Sequence, residues 1–364
     1  MKLNFNLSSC IRASSISSNC EKCLNICPTK TIKLENNIPS FTPDECVLCG
    51  GCVGICPTEA FSLDGFNVVE FIFNYFETND ILSCHNNTPC LAIFSPEALI
   101  SLALGNKEDV VLDIGHCETC NFAENLYTQI KHNIDEANFI LSTFCNKHLV
   151  AKNIKFENTN NEKDTIDRRT FLNNLKPINL LKTKKTLEEK IDGNESKKFN
   201  FDENIINQIK TKSIPDIRKL FFTLLKNQEK PLIYETIDSN EISFMSQKYI
   251  DNSCTNCQMC YRICPTEALS SDKNHSIINF NAMLCLKCNL CHDVCMYNSI
   301  HLQQAFDIKE FFEPTKKVMA HFDIKRCTEC NNNFTYFGGE VICPRCAIEE
   351  EEAISLHKTK NKDF

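Results

Sequence analysis

Several kinds of segment are missing from this sequence, and each absence excludes a class of function. The chain has no tryptophan and only 9 glycines, and it contains neither a P-loop nor a G-x-G-x-x-G fingerprint for nucleotide phosphates. No Ser-His-Asp arrangement or acid–base carboxylate pair is recognisable, so we expect no catalytic centre. No run of about 18 apolar residues exists to cross a bilayer. The formal net charge of −8 argues against nucleic acid as a partner, because phosphate contacts need a basic surface.

Cysteine is the exception, with 25 residues in a chain of 364. An odd number of cysteines cannot be paired completely into disulfides within one chain. The N-terminal stretch MKLNFNLSSC has no apolar core of a secretory signal, so we expect a cytoplasmic protein. In that reducing compartment, clustered cysteines bind metals or do redox work. The length predicts two or three domains, and 42% hydrophobic residues are enough to form a buried core.

An internal repeat contains the densest cysteines. CVLCGGCVGICPTEAF begins at Cys46 and CTNCQMCYRICPTEAL begins at Cys254, and both follow the frame C-x2-C-x2-C-x3-C-P-T-E-A. A [4Fe–4S] cluster needs four soft thiolate ligands. Three closely spaced cysteines take three corners of one cluster, and the fourth, which precedes proline, reaches a neighbouring cluster. Such motifs therefore work in pairs.

The second pair of motifs is complete, although Met296 stands where a proline usually follows the last cysteine. Crossed ligation predicts one cluster on Cys254, Cys257, Cys260 and Cys295, and another on Cys264, Cys285, Cys288 and Cys291.

The first pair is less regular, because its N-terminal motif reads C-x9-C-x2-C-x3-C-P. Crossed ligation predicts one cluster on Cys10, Cys20, Cys23 and Cys56, and another on Cys27, Cys46, Cys49 and Cys52. The small, polar stretch IRASSISSN is compatible with a loop that returns Cys10 to the cluster. The alternative is that Cys10 is no ligand and that a three-iron centre remains.

These motifs resemble the bacterial two-cluster ferredoxins, over roughly residues 8–65 and 250–303. The resemblance implies two βαββαβ modules with clusters close enough for electron tunnelling, so the chain resembles a polyferredoxin. It also implies redox protein partners, such as a formate dehydrogenase or a hydrogenase. Four thiolates leave an oxidised cluster with a charge of about −2. The loaded protein should therefore be strongly acidic and prefer basic docking surfaces.

Five further cysteines lie between the two pairs, and the sequence around them predicts an alternation of strands and helices. These cysteines are Cys84, Cys90, Cys117, Cys120 and Cys145. NDILSCH, EDVVLDIGHC and ANFILSTFC each read as a strand that runs into a cysteine, and SPEALISLALGN reads as a helix capped by Ser95. Parallel strands would bring their cysteines to one sheet edge, where such sheets bind ligands. This predicts an additional centre such as [2Fe–2S]; the alternative is buried or free structural cysteines. For His85 and His116, which flank these cysteines, we expect solvent-facing or hydrogen-bonded side chains, and the alternative is that they tune or ligate the centre.

The same segment resembles the iron–sulfur delta subunit of methyl-viologen-reducing hydrogenases over about 60 residues. The shared features are a cysteine, a helix that begins with Pro-Glu, and a strand that ends in Gly-x-Cys with another cysteine after it. The spacing of Cys117 and Cys120 is tighter here than in that family.

Four more cysteines lie near the C-terminus, in the spacing CxxC-x12-CxxC. These are Cys327, Cys330, Cys343 and Cys346. Two such knuckles joined by a hairpin form a tetrahedral four-sulfur site, which resembles a zinc ribbon and fits zinc, with rubredoxin-like iron as the rival metal. An acidic helix is predicted to follow.

The predicted architecture is α+β and multidomain, with a helical linker in addition to the parts above. We expect a ferredoxin module at 1–65, an α/β domain at 66–155, a charged helical linker at 156–250, a second ferredoxin module at 251–305, and the ribbon with its tail at 306–364. The predicted function is electron transfer through four [4Fe–4S] clusters. Two alternatives are the electron-transfer subunit of a larger oxidoreductase and an assembly factor for such an enzyme; a thiol-based reductase is a further one.

Overall fold

The computed structural model describes residues 1–154 and 212–360 of the chain, and the side chains up to residue 355. Most of the predicted charged linker lies outside the described residues. Every helix within the described ranges is too short or too polar to cross a membrane.

The first module, residues 3–63, has the predicted βαββαβ order, with short helical turns added in its loops. Its elements are β1 (Leu3–Phe5), α1 (Ile11–Ser14), α2 (Lys22–Ile26), β2 (Ile32–Glu35), β3 (Ile38–Phe41), α3 (Gly51–Ile55) and β4 (Phe61–Leu63). β1 pairs antiparallel with β4, Leu3 opposite Leu63. β2 and β3 form a hairpin. Asn36 and Asn37 connect them with positive φ angles, which asparagine adopts more readily than most residues.

An α/β segment follows the first module and packs tightly against it. Its elements are α4 (Val68–Thr78), α5 (Pro96–Gly105), β5 (Val110–Asp113), α6 (Ala123–Ser142) and β6 (Leu149–Lys152). β5 and β6 are parallel, and a single parallel bridge joins Leu82 to Leu112. A Cβ atom on Gly54 of α3 would lie 2.4 Å from the carbonyl oxygen of Ala92, so only glycine permits this close approach.

The predicted α5 helix is confirmed, whereas the strand predicted at ANFILSTFC is wrong. Ser95 caps α5 by accepting a hydrogen bond from the Ala98 N–H (3.2 Å). Residues 137–142 instead form the end of α6, because the apolar stripe of Leu126, Ile130 and Ile134 continues at helical spacing into them. Of the three predicted strands only β5 forms, since NDILSCH contributes no more than the bridge at Leu82. The strand that pairs with β5 is β6, which begins after Cys145 rather than ending at it.

The second module, residues 248–302, repeats the order of the first and is flanked by additional elements. The elements of the module are β8 (Lys248–Ile250), α8 (Met259–Ile263), β9 (Leu269–Ser271), β10 (Ile277–Asn281), α9 (Leu290–Asp293) and β11 (Ile300–Leu302). The flanking elements are α7 (Asp216–Lys226) and β7 (Thr236–Asp238) before it and β12 (Ala305–Asp307) after it. β8 pairs with β11, β9 with β10, and β7 with β12, all antiparallel. The amphipathic stretch IPDIRKLFFTLLKN forms α7, whose apolar side chains Leu220, Phe221 and Leu225 are buried in the core.

The C-terminal part is attached to the second module through its sheet. Its elements are α10 (Lys309–Phe312), β13 (Lys316–His321), β14 (Asp323–Arg326), β15 (Asn333–Tyr336) and α11 (Pro344–Lys360). β13 pairs with β10. β14 and β15 pair with each other on either side of Cys327 and Cys330, so the hairpin encloses the first knuckle rather than joining the two knuckles as predicted.

Candidate metal centres

The cysteine motifs share a backbone conformation that bends each loop around one point. In three motifs the residues two and four positions after the first cysteine have positive φ: Leu48 and Gly50, Asn256 and Gln258, Lys287 and Asn289. The third residue after the last cysteine has positive φ in all four motifs: Lys30, Glu59, Glu267 and Asn298. Alternating right- and left-handed residues make backbone N–H groups converge into an anion-binding concavity. These positions are not predictable from the sequence, because leucine, lysine and glutamate carry no signal for this conformation.

Site 1 consists of four thiols that line one small cavity in the first module. They are Cys27, Cys46, Cys49 and Cys52. Burial is the main cause that raises the pKa of Cys49 to about 11, and the neighbouring thiolates of Cys27 and Cys46 add to it. The hydroxyl oxygens of Thr29 and Thr31 lie 3.7 and 3.6 Å from the sulfur of Cys27. The cavity therefore brings together the cysteines that sequence analysis assigned to one cluster.

Site 2 consists of the other four cysteines of the first module. They are Cys10, Cys20, Cys23 and Cys56. Burial, and then the thiolates of Cys56, Cys20 and Cys10, raise the pKa of Cys23 to about 12, so all four thiols face one another. The IRASSISSN loop is held back by buried Arg12, whose guanidinium donates to the Cys20 carbonyl and to the Asn37 side chain. This is how the displaced Cys10 is placed beside the others.

Site 3 lies in the second module at the position that corresponds to site 1. Its thiols are Cys264, Cys285, Cys288 and Cys291, and they line one small cavity together with Lys248. Burial, and then the thiolates of Cys285, Cys291 and Cys264, raise the pKa of Cys288 to about 12. The hydroxyl of Ser246 lies 3.2 Å from the sulfur of Cys285, a contact that sequence analysis did not foresee.

Site 4 completes the second module and is the more exposed of its two sites. Its thiols are Cys254, Cys257, Cys260 and Cys295. Burial, and then the thiolates of Cys254, Cys257 and Cys295, raise the pKa of Cys260 to about 12. The Ser299 N–H donates to the sulfur of Cys295 (3.2 Å). Cys257 is exposed to solvent.

The chemistry of these sites fits iron–sulfur clusters better than single metal ions. Each site offers only thiols, the soft ligands that such clusters require. In the described ranges only the C-terminal cysteine group has all its sulfur atoms within 4.8 Å of one another. Sites 1 to 4 do not meet this condition, as expected for sulfurs that bind separate iron atoms. Iron in place of the thiol protons would also offset the mutual repulsion of the thiolates, which adds to the effect of burial on these pKa values.

Contacts between neighbouring sites arrange them in a row. Burial is the main cause that raises the pKa of Cys52 in site 1, and the negative charge of Cys23 in site 2 adds to it. In the same way the charge of Cys260 in site 4 adds to the burial that raises the pKa of Cys291 in site 3. The two modules meet between sites 2 and 3. There Ile11 packs with Leu290 and Val294, and Cys20 and Cys288 pack against this apolar group. Asn19 adds two hydrogen bonds to the carboxylate of Asp293 (3.0 and 3.1 Å).

Four of the five α/β cysteines come together, and the fifth does not join them. Burial and then neighbouring charges raise the pKa of Cys90 to about 12, and these charges are the thiolates of Cys49, Cys117 and Cys84. Burial also raises the pKa of Cys117, and the negative charges of Cys84 and Cys120 add to this increase. We call Cys84, Cys90, Cys117 and Cys120 the Cys84 site. Because Cys49 belongs to site 1, its effect on Cys90 shows that the Cys84 site lies next to site 1.

The prediction that Cys145 lies at the same sheet edge is wrong. Cys117 follows β5, whereas Cys145 precedes the parallel strand β6, so the two lie at opposite ends of the sheet. Burial raises the pKa of Cys145, and the charge acting on it is that of Lys147. The rings of His85 and His116 lie 5.0 Å apart, centre to centre, next to Cys84 and Cys117.

The C-terminal cysteine group has the geometry of a single-ion site. Its members are Cys327, Cys330, Cys343 and Cys346. Zn–S bonds of about 2.3 Å place two sulfurs of a tetrahedron about 3.8 Å apart. The sulfurs of Cys330 and Cys343 are 3.7 Å apart. Hydrogen bonds from the backbone N–H groups of Cys330 and Cys343 lower the pKa of Cys327, which favours the metal-binding thiolate.

We expect one zinc ion per chain at this group. Replacing Cys343 by serine should remove the zinc and leave the iron content unchanged, because the group shares no thiol with sites 1 to 4. Metal analysis of the purified protein measures both, with Cys145→Ser as the matched control that retains zinc. Iron instead of zinc in this position would contradict the prediction.

Comparison with known families agrees with the dicluster geometry. Two family models, both described as "4Fe-4S dicluster domain", match residues 18–60 and 253–300, about a quarter of the chain. The first match begins after Cys10. No curated protein matches the chain. The matches indicate an iron–sulfur electron-transfer protein with ferredoxin-type domains, and the resemblance to a hydrogenase delta subunit stays a prediction.

Proposed function

We propose that the chain carries single electrons between redox protein partners, through four [4Fe–4S] clusters held at sites 1 to 4. A bound cluster supplies the chemistry, since it accepts and releases one electron at a time. One observation carries the proposal: each site combines three thiols of one motif with the last thiol of the paired motif. This composition supports crossed ligation in both modules, with Cys10 among the ligands.

The surrounding residues have defined roles in this proposal. Donors such as Ser246, Thr31 and the Ser299 N–H lie against ligand sulfurs, and hydrogen bonds to sulfur stabilise the added negative charge of the reduced state. The converging N–H groups of the left-handed loops act in the same direction. Burial of Cys23, Cys52, Cys260 and most of site 3 limits the access of water.

The contacts between sites support one continuous route for electrons. Its order is the Cys84 site, site 1, site 2, site 3 and site 4, which differs from the order of the cysteines along the chain. We propose that the Cys84 site holds an additional [2Fe–2S] cluster at one end. At the other end Cys257 is exposed and the ribbon is adjacent, since Asn256 donates to the hydroxyl of Thr335 (3.0 Å). Partners would be cytoplasmic redox enzymes, of the formate dehydrogenase or hydrogenase type.

Iron content tests the proposal directly. Protein purified without oxygen should contain about 16 iron atoms per chain, or about 18 if the Cys84 site is loaded, with matching sulfide. Electron paramagnetic resonance (EPR) of the reduced protein should show interacting [4Fe–4S] signals. Clearly fewer than about 14 iron atoms in a fully loaded sample would refute the four-cluster proposal.

A further inference from the structure

Lys248 is a buried lysine beside site 3. It is the first residue of β8, it is 5% exposed, and it lines the same cavity as the four thiols of site 3. Its ammonium lies 2.7 Å from Nε2 of His292. An ammonium only donates hydrogen bonds, so the imidazole nitrogen accepts here.

No carboxylate of the described residues forms an ion pair with Lys248. The equally buried Arg218, by contrast, is paired with Glu97. A buried charge without a counter-charge is costly, so a partner of opposite sign is expected nearby. The cavity that Lys248 lines supplies one, because four thiolates around an oxidised cluster leave a charge of about −2.

The internal repeat provides a natural comparison. In the first module Leu3 pairs with Leu63, seven residues after Cys56; in the second, Lys248 pairs with Leu302, seven residues after Cys295. Leu3 therefore occupies the position of Lys248, and it lines the site 1 cavity. Apart from the thiols, no described residue that lines the site 1 cavity is charged. The linings of the two cavities thus differ by one buried positive charge. Lys287, which donates to the carbonyl oxygens of Ser239 and Ile242, is a second cation near site 3 but does not line its cavity.

We propose that Lys248 is a tuning residue for the cluster of site 3, and that its charge raises the reduction potential of this cluster relative to the same site without it. This inference rests on the proposed function. Reduction of site 3 by one electron adds one negative charge to the cavity, with no bond made or broken. Burial of Cys264, Cys285 and Cys291 opposes that added charge, and a cation at the cavity wall stabilises it. Lys248 thereby keeps an internal site of the route reducible.

The test is a potentiometric titration of the full-length loaded protein without oxygen, followed by EPR. Lys248→Leu introduces the residue that the first module already accommodates at this position. We expect one of the four reduction steps to shift to lower potential, and Lys248→Arg, which keeps the charge, to leave that step near its original value. Cys288→Ser should change the spectrum of the same step and so assign it to site 3. Lys273→Leu, which removes an exposed lysine, should leave all four steps unchanged.

An unchanged titration of Lys248→Leu with full iron content would overturn the inference, and so would identical shifts in Lys248→Arg and Lys248→Leu. If Lys248→Leu loses the site 3 cluster, the converse variant Leu3→Lys provides the test. This variant should raise the reduction potential of the site 1 step. An unchanged potential in Leu3→Lys would overturn the inference. Failure of the proposed function is distinguishable, because it appears in the unsubstituted protein as iron well below about 14 atoms.

Discussion

Replacing Cys264 and Cys285 together by alanine should remove the iron of one cluster, whereas replacing Cys254 and Cys264 should remove the iron of two. The expected losses are about four and about eight iron atoms per chain. The reason is that Cys264 belongs to the second module's first motif in sequence but lines site 3 with the thiols of the second motif. Iron and sulfide analysis of protein purified without oxygen measures the difference.

A site that loses one ligand retains either no cluster or a three-iron centre, so EPR is measured together with the iron content. Crossed ligation predicts that the Cys254 and Cys264 pair alters two clusters and that the Cys264 and Cys285 pair alters one. Ligation within each motif predicts the opposite result, because Cys254 and Cys264 would then share a cluster and Cys264 and Cys285 would not. Cys145→Ala is the matched control, since this thiol lies away from all the sites, and it should retain the full iron content. Two altered clusters in the Cys264 and Cys285 variant, and only one in the Cys254 and Cys264 variant, would contradict crossed ligation.

The parts of this protein that the sequence predicted are those with a strict spacing. The frame C-x2-C-x2-C-x3-C-P predicts a loop and its neighbours, and the structure has the two βαββαβ modules around such loops. Helix α5 was predictable because Ser95, Pro96 and Gly105 mark its ends by local chemistry.

Other features depend on contacts between distant parts of the chain, and local sequence carries no signal for them. The placement of Cys145 is one example, because an apolar run such as ANFILS suits a strand or a buried helix until its neighbours are known. Ser246 and Lys248 are another. They precede the second module's cysteines by several residues and reach site 3 only through the pairing of β8 with β11. The repeat contains one usable signal, the exchange of Leu3 for Lys248, but it is visible only once the strand registers are aligned.

The largest effect on stability is expected from Arg218→Met, in the first turn of α7. Arg218 is 1% exposed, and its guanidinium binds the carboxylate of Glu97 on α5. It also donates to the carbonyl oxygens of Phe244, Met283 and Cys285, at 2.8, 2.7 and 3.0 Å. Methionine would leave a buried carboxylate and three carbonyl groups without their donor. Breaking such a buried pair costs about 3–5 kcal/mol of unfolding free energy.

This loss should grow with pH, which distinguishes the loss of a counter-charge from a packing defect. Burial raises the pKa of Glu97, and Arg218 opposes that increase, so the pKa rises further in Arg218→Met. A carboxyl group whose pKa is higher in the folded than in the unfolded state stabilises the fold below the unfolded pKa. That stability is lost as the pH rises through the folded pKa. Urea denaturation at several pH values, without oxygen, measures it, followed by circular dichroism because the chain lacks tryptophan.

A second substitution at Glu97 separates the buried charge from the lost hydrogen bonds. The double variant Arg218→Met/Glu97→Gln should recover part of the stability at high pH, since glutamine has no charge to bury, and should lose the pH dependence. The unpaired carbonyls of Met283 and Cys285 would remain, so recovery should be incomplete. Lys219→Met is the matched control, because its half-exposed pair with Asp216 contributes at most about 1 kcal/mol. A pH-independent loss in Arg218→Met, equal in the double variant, would show that packing around α7 dominates, and that the ion pair with Glu97 does not.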